Sequence, residues 1–498
     1  MELQFKSDTC RFLSPAVREV RSTELTQEVR LSDGMPDIGR VLASWGQIVL
    51  RGKEWQSDQI LVSCGIMVWI LYAPEDGTQP RCLDTWIPFQ LKWELSGENR
   101  EGPICVWPLL RFADSRGVSA RKVMVRASVS AMGEAWSPVS TEIYEPSDLP
   151  DDIQILQNTY PVRLPKEAGE KTFLIDEDLT VPAGKADVER ILAYTVEPQI
   201  HEKRVAGDKV IMRGICKLHV VYRCPEGRIH VADLEVPVSQ YAQLEEVYGT
   251  DAQAEVMVGI TSLELTQNDG NQLRLKCGIV AQYLISDRHL VTLTEDAYSL
   301  RRDVELSVAE LELPAMLESK TETITARQQL SGITGEVADI TFLPDFPRMS
   351  RSGDRLMLEL PGQFQILYYA PDGSLQGSSA RWEESMQFPA DAATTVTFLP
   401  QAQNVQARTG TDEISLSGQY TLHMDSSTEK GMPMVTGLNV GQEREKDPQR
   451  PSLILCRPNG ETLWSMAKRT GSTVVDIRRA NRLTGENAEN SMLLIPIE

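Results

Sequence analysis

The sequence predicts a mostly β protein, with repeated antiparallel β-sandwich-like domains followed by a small strand–helix–helix–strand domain. Three observations carry this expectation. One β-rich pattern recurs three times, a strictly alternating strand closes each copy, and helical spacing replaces the alternation only after residue 452.

The recurrence is the primary signal, because a missed repeat misassigns the whole fold. The first copy reads DQILVSCGIMVWILYAPEDG (58–77), the second DKVIMRGICKLHVVYRCPEG (208–227) and the third DRLMLELPGQFQILYYAPDG (354–373). Upstream, MPDIGRVL (35–42) is answered by KADVERIL (185–192). Asp37 to Asp187 and Gly77 to Gly227 are both 150 residues apart, so two landmarks give one spacing. The third copy follows at 146 residues by its turn glycine, Gly373, and lacks a clear upstream match.

Each copy is rich in β-branched and aromatic residues and ends in a proline–acid–glycine turn. There proline presets φ and glycine accepts positive φ. The closing strands RKVMVRASVSAM (121–132), QLRLKCGIVAQY (272–283) and EISLSGQYTLH (413–423) alternate as a half-buried strand must. The expected division is 1–165, 166–316 and 317–440 for three sandwich-like domains. A charged linker over 441–451 should then be an exposed tether to a terminal module over 452–498.

In that module LILC (453–456) reads as a strand and RPNG (457–460) as a turn. ETLWSMAKRT (461–470) has helical spacing, with Gly471 placed to end it. TVVD (473–476) resembles a capping box opening a second helix through Ile477, Ala480 and Leu483, and MLLIP (492–496) is a closing strand. Leu463, Met466, Ile477 and Leu494 are the expected core, and Trp464 is expected to pack rather than to serve as a sugar platform.

Composition narrows function. The 498 residues carry a formal charge of -21, which repels phosphate backbones and argues against nucleic acid. The N-terminus has neither a basic region nor an apolar run, so the chain is expected to remain where it is made. The apolar stretch 65–73 is far shorter than the roughly 20 residues that span a bilayer. Eight scattered cysteines without a CxxC read as free thiols. In 452–498, Arg457, Lys468, Arg469, Arg478, Arg479 and Arg482 face Glu461, Asp476, Glu486, Glu489 and Glu498, a balance of +1 against -22 for residues 1–451. Lys468, Arg469, Arg478, Arg479 and Arg482 cluster on the two helices, either as a solvated face or as a docking face for an acidic protein.

GETLWSMAKR (460–469), DIRRAN (476–481) and LLIP (493–496), in that order and spacing, resemble a LysM domain over its full length. The resemblance implies a shallow ligand groove with Asn459, Gly460, Glu461, Thr462 and Leu463 on one side. Asn481, Leu483, Thr484 and Gly485 form the other. PDIGR (36–40), WGQIVLRG (45–52) and GIMVWILYAP (65–74) resemble the SPOCS domain of endospore-forming bacteria. SPOCS repeats ending in a LysM domain are similar to spore-coat morphogenesis proteins of clostridia. That resemblance implies a place in the mother-cell cytoplasm at the forespore surface, where the module engages the coat basement-layer ATPase or another coat protein.

No catalytic arrangement stands out. Cys216, His219, Cys224 and His230 count as four zinc-ligand types, but on a strand 216 and 219 point to opposite faces. No G-x-S-x-G elbow, P-loop or GxGxxG is present. The expected protein is therefore not an enzyme and needs no cofactor or metal. The alternatives are a peptidoglycan or cortex glycan binder using the LysM groove, and a wall hydrolase targeted by it.

Overall fold

The computed structural model describes residues 2–3, 5–95, 101–314, 318–389, 394–445, 449–483 and 492–497. The first repeat comprises β1 (Glu2–Leu3), β2 (Phe5–Arg30), β3 (Ile38–Trp55), β4 (Gln59–Pro74), β5 (Arg81–Glu94), β6 (Ile104–Ser119) and β7 (Lys122–Pro146). The second comprises β8 (Ile153–Thr180), β9 (Arg190–Arg223), β10 (Ile229–Tyr248), β11 (Gln253–Asp269) and β12 (Gln272–Ser299). The third comprises β13 (Arg302–Pro314), β14 (Glu318–Ser331), β15 (Glu336–Pro344), β16 (Arg348–Ser352), β17 (Arg355–Tyr369), β18 (Leu375–Pro389), β19 (Thr394–Thr409) and β20 (Glu413–Glu443). The module adds β21 (Leu453–Cys456), α1 (Leu463–Thr470), α2 (Val474–Asn481) and β22 (Leu493–Pro496).

Each repeat is an antiparallel sandwich. In the first, β3-β4-β5 packs on β2-β7-β6. In the second, β9-β10 packs on β11-β12-β8. In the third, β15, β16, β17 and β18 pack on β14, β19 and β20. The alternation does the sorting: Val123, Val125 and Ala127 on β7 are buried toward one core, as are Leu273, Leu275 and Cys277 on β12. Fully burying one such aliphatic side chain is worth about 1.5–3 kcal/mol.

The turn glycines sit where the sequence places them. Gly77, Gly227 and Gly373 have φ of 71°, 85° and 81°, which a side chain would strain. The 150-residue spacing extends to side-chain bonds. Tyr72 Oη donates to the Pro36 carbonyl and Tyr222 Oη to the Ala186 carbonyl, both at 3.0 Å. Likewise Arg121 donates to Asp37 and Asn271 to Asp187.

Two strands run through the expected domain limits. Residue 165 lies inside β8 and residue 440 inside β20, while β13 already belongs to the third repeat. The long strands cross from sandwich into a shared assembly, β8 through Pro161, Pro165 and Gly169 and β20 through Gly431 and Pro433, and continue as strands beyond them. In that assembly the ends of β2 and β7, of β8 and β12, and of β13 and β20 form three ribbons. Leu164, Leu293, Leu311, Leu313, Met432 and Met434 pack between them, with Phe12 and Ile143 of the first ribbon.

The repeats meet a second time through equivalent positions. Leu71, Val221 and Leu367 share one core with Leu42 and Leu192, and Ala338 packs against it. Trp69 and Tyr194 rings lie 4.7 Å apart there, and Ile229 N donates to Tyr369 Oη at 2.7 Å. Within this core, Trp45 Nε1 donates to Asp339 Oδ2 at 2.8 Å. His219 Nδ1 lies 2.7 Å from Asp233 Oδ1, and its Nε2 lies 3.1 Å from Asp339 Oδ1, as an ion pair off the hydrogen-bond line. One buried network thus joins residues of all three repeats. Among the described residues no helix is long and apolar enough to cross a membrane.

Candidate functional site

The terminal module follows the expected order of elements. Thr462 caps α1 by accepting from Ser465 N at 3.1 Å, because the first N–H groups of a helix have no internal partner. Gly471, at φ 69°, closes α1 with its N–H on the Ala467 carbonyl. Thr473 caps α2 by accepting from Asp476 N at 3.0 Å, and its hydroxyl donates back to Asp476 Oδ2 at 2.7 Å. Leu463, Met466, Ala467, Ile477, Leu493 and Ile495 form the core. Leu494 is not in it. In β22 the alternation turns Leu493 and Ile495 inward, leaving Leu494 exposed opposite Leu455.

The groove residues divide by role. Asn459 (φ 47°) and Gly460 (φ 86°) make the turn after β21, with Glu461 N donating to the Pro458 carbonyl. Glu461 pairs with Arg469 at 2.9 Å. Thr462 is the cap, and Leu463 is core. On the facing side, at the end of α2, Asn481 donates to the carbonyls of Ile477 (2.8 Å) and Leu494 (2.6 Å) and accepts from Leu494 N (2.8 Å). Its amide therefore ties α2 to β22. Leu483 packs partly against the core, and Thr484 and Gly485 lie outside the described residues. Asn481→Ala should cost the module about 2 kcal/mol, since it strips two carbonyls and an N–H of partners. Urea unfolding followed by helical circular dichroism checks this.

The cations of the proposed docking face are also divided. Lys468 Nζ binds Asp296 of β12 at 2.6 and 2.8 Å, so it belongs to the contact between module and repeats. Arg469 is paired with Glu461, as above. Arg478 is half-buried, whereas Arg479 and Arg482 are exposed. Arg479 lies 3.5 Å from Asp476, and Arg482 ends α2 at φ 54°. Exposed Val475 completes the outer side of α2, and exposed Leu453, Leu455 and Leu494 lie on the strands.

Asp296 and Tyr298 are residues that the sequence reading missed. Trp464 Nε1 donates to Asp296 Oδ2 at 2.8 Å, and its ring meets Tyr298 edge-on at 4.9 Å. Tyr298 Oη donates to the Ser472 carbonyl at 2.7 Å, and burial pushes its phenol up to about 12. Leu300 completes the apolar contact. Trp464 does pack, but its partner lies on the second repeat. The linker is correspondingly no free tether. Residues 441–443 belong to β20, Arg444 N donates to the Arg301 carbonyl, and Arg444 pairs with Asp303 at 2.8 Å. Arg450 donates to the Thr470 carbonyl at 2.7 Å, so Arg444 holds the segment to the repeats and Arg450 holds it to the module.

The four zinc-ligand types part company. Cys216 points into the second sandwich core, while His219 faces Asp233 and Asp339. Among the described residues no three His, Cys, Asp or Glu gather as metal ligands. A polar cleft of about 240 Å³ between the first and third repeats is lined by Ser44, Ser115, Asp339 and Thr341.

Comparison with known families agrees with this anatomy. The family model of the SipL SPOCS domain matches residues 187–267, inside the second repeat. That of the LysM domain matches residues 459–488. Both are families of non-catalytic binding domains. No curated protein and no solved structure matches the chain.

Proposed function

We propose that this SipL-like chain, with its SPOCS repeats and LysM end, is a non-enzymatic scaffold in endospore envelope assembly. Its module engages a protein, the coat morphogenetic ATPase or another coat protein, in the mother-cell cytoplasm at the forespore surface. One observation carries the protein reading: of the four polar groove side chains among the described residues, three (Glu461, Thr462 and Asn481) are engaged inside the module. The Asn481 amide bridges backbone, Glu461 holds Arg469 and Thr462 caps α1. Sugar recognition needs free hydrogen-bonding groups and an aromatic platform, and Trp464 is committed to Tyr298. What the module turns outward instead is aliphatic and cationic, namely Val475, Arg479 and Arg482 on α2 with Leu453 and Leu455 on β21. An acidic, partly apolar protein surface complements that face.

The LysM match itself favours a second reading, in which the groove takes the N-acetylglucosamine polymer of peptidoglycan or cortex. The two readings separate in one experiment. The full chain is titrated with the purified coat ATPase and, in parallel, sedimented with peptidoglycan. Binding to the ATPase, weakened about tenfold in the Arg479→Glu/Arg482→Glu variant, supports the scaffold reading. Retention on peptidoglycan without ATPase binding would sink it and leave the glycan reading standing.

A further inference from the structure

The three sandwiches fill one core position in three different ways. In the first repeat, Ile66 on β4 and Ala127 on β7 occupy it, both fully buried. In the third, Gly362 on β17 and Gly418 on β20 leave room for the Phe342 ring, which a Cβ added at either position would meet. In the second, the equivalent residues are Cys216 on β9 and Cys277 on β12, one from each sheet. Both have 0% exposure, and both lie in the same apolar cluster. Both are free thiols. The two residues enter that core from opposite sheets, and the Cys216 thiol is the first of the influences that hold the Cys277 thiol up.

We propose that Cys216 and Cys277 are a redox-convertible pair, closed into an inter-sheet disulfide by a low-molecular-weight disulfide oxidant. In the first step a protein thiolate attacks the oxidant, forming a mixed disulfide and releasing one small thiolate. The second protein thiolate then attacks the protein sulfur of that mixed disulfide and releases the other small thiolate. The protein loses two electrons and two protons, and the oxidant gains them as two small thiols. The closed sandwich itself resists this chemistry. The neighbouring Cys216 thiol, and after it burial, hold the Cys277 thiol far above the ordinary range, and a thiol, unlike a thiolate, does not attack. Oxidation is thereby confined to chains whose two sheets have not yet closed or have opened. Once formed, the bond ties β9 to β12, the strand that carries Asp296 and Tyr298 and so seats the LysM module. The first and third repeats, with Ile66 and Ala127 or Gly362 and Gly418, have no such option.

The test uses the full wild-type chain, so no variant need fold. Protein unfolded under reducing conditions is refolded in oxidised glutathione or in reduced glutathione alone. Its thiols are then alkylated in denaturant and its peptides mapped. The expected result is loss of two of the eight alkylatable thiols and one linked peptide pair joining Cys216 to Cys277, in the oxidised refolding only. Already folded protein exposed to the same oxidant retains all eight over the same period. Eight free thiols after oxidative refolding overturn the proposal. So does linkage through any other pair, or equally fast oxidation of the folded protein.

Discussion

His219→Ala should lower the stability of the repeat body by about 3–5 kcal/mol, the usual cost of leaving one partner of a buried ion pair alone. Asp339 is 5% exposed, and without the imidazolium only the Trp45 N–H remains on its carboxylate. The loss should be visible in urea as an earlier and broader transition, because the network joins all three repeats. The pair is not expected to be worth that much against an apolar substitute. Replacing both members, as His219→Gln with Asp339→Asn, should recover most of the loss. The pH dependence carries a sign that separates charge from packing. Burial alone lowers the pKa of His219, but Asp339 and Asp233 outweigh it and raise it to about 10. The unfolded value is near 6.5. A raised folded pKa gives stability that is fully present below about 6.5 and is lost as pH rises through about 10. Wild-type stability should therefore fall across that window more steeply than in the Gln/Asn double variant. Parallel pH profiles would mean that His219 is not the charged centre of the network.

The β character, the turns and the repeat spacing were legible because each is local. Gly77, Gly227 and Gly373 announce turns by residue type, and alternation on β7, β12 and β20 follows from a period of two. The continuation of the strands beyond each sandwich was not legible. β8 carries Pro161, Pro165 and Gly169 and β20 carries Gly431 and Pro433 where each passes from sandwich to ribbon. Glycine and proline also stand inside sandwich strands, as Gly46 and Pro88 do, so they do not single out a change of partner. In the module, the caps at Thr462 and Thr473 and the closing Gly471 were readable from chain order. Leu494 was misplaced because a strand of four residues gives alternation with no anchor for its phase, and Asn481 supplied that anchor only in three dimensions. Asp296 lies 168 residues from Trp464, so no spacing rule could pair them.

That same contact supports the second large effect. Asp296 accepts from both Trp464 Nε1 and Lys468 Nζ, while Tyr298 meets the indole edge-on. Asp296→Ala removes a charge-assisted acceptor shared by two donors of the module and should weaken its seating by about 2–3 kcal/mol. Trp464→Ala removes the indole from the edge-on contact as well and should cost more, since aromatic pairs add about 0.5–1.5 kcal/mol beyond area burial. Neither change touches the sandwich cores. The expected outcome is a repeat body that melts unchanged, a module that melts on its own at lower temperature, and faster proteolysis near Arg444 and Arg450. The two substitutions share partners, so their combined effect should fall short of the sum of the single effects. Additive losses would mean that Asp296 and Trp464 act through separate contacts. An unchanged module in both variants would mean that β21, β22 and the two helices need no seat on β12. The presentation of Arg479 and Arg482 to a partner would then be set by the linker rather than by the second repeat.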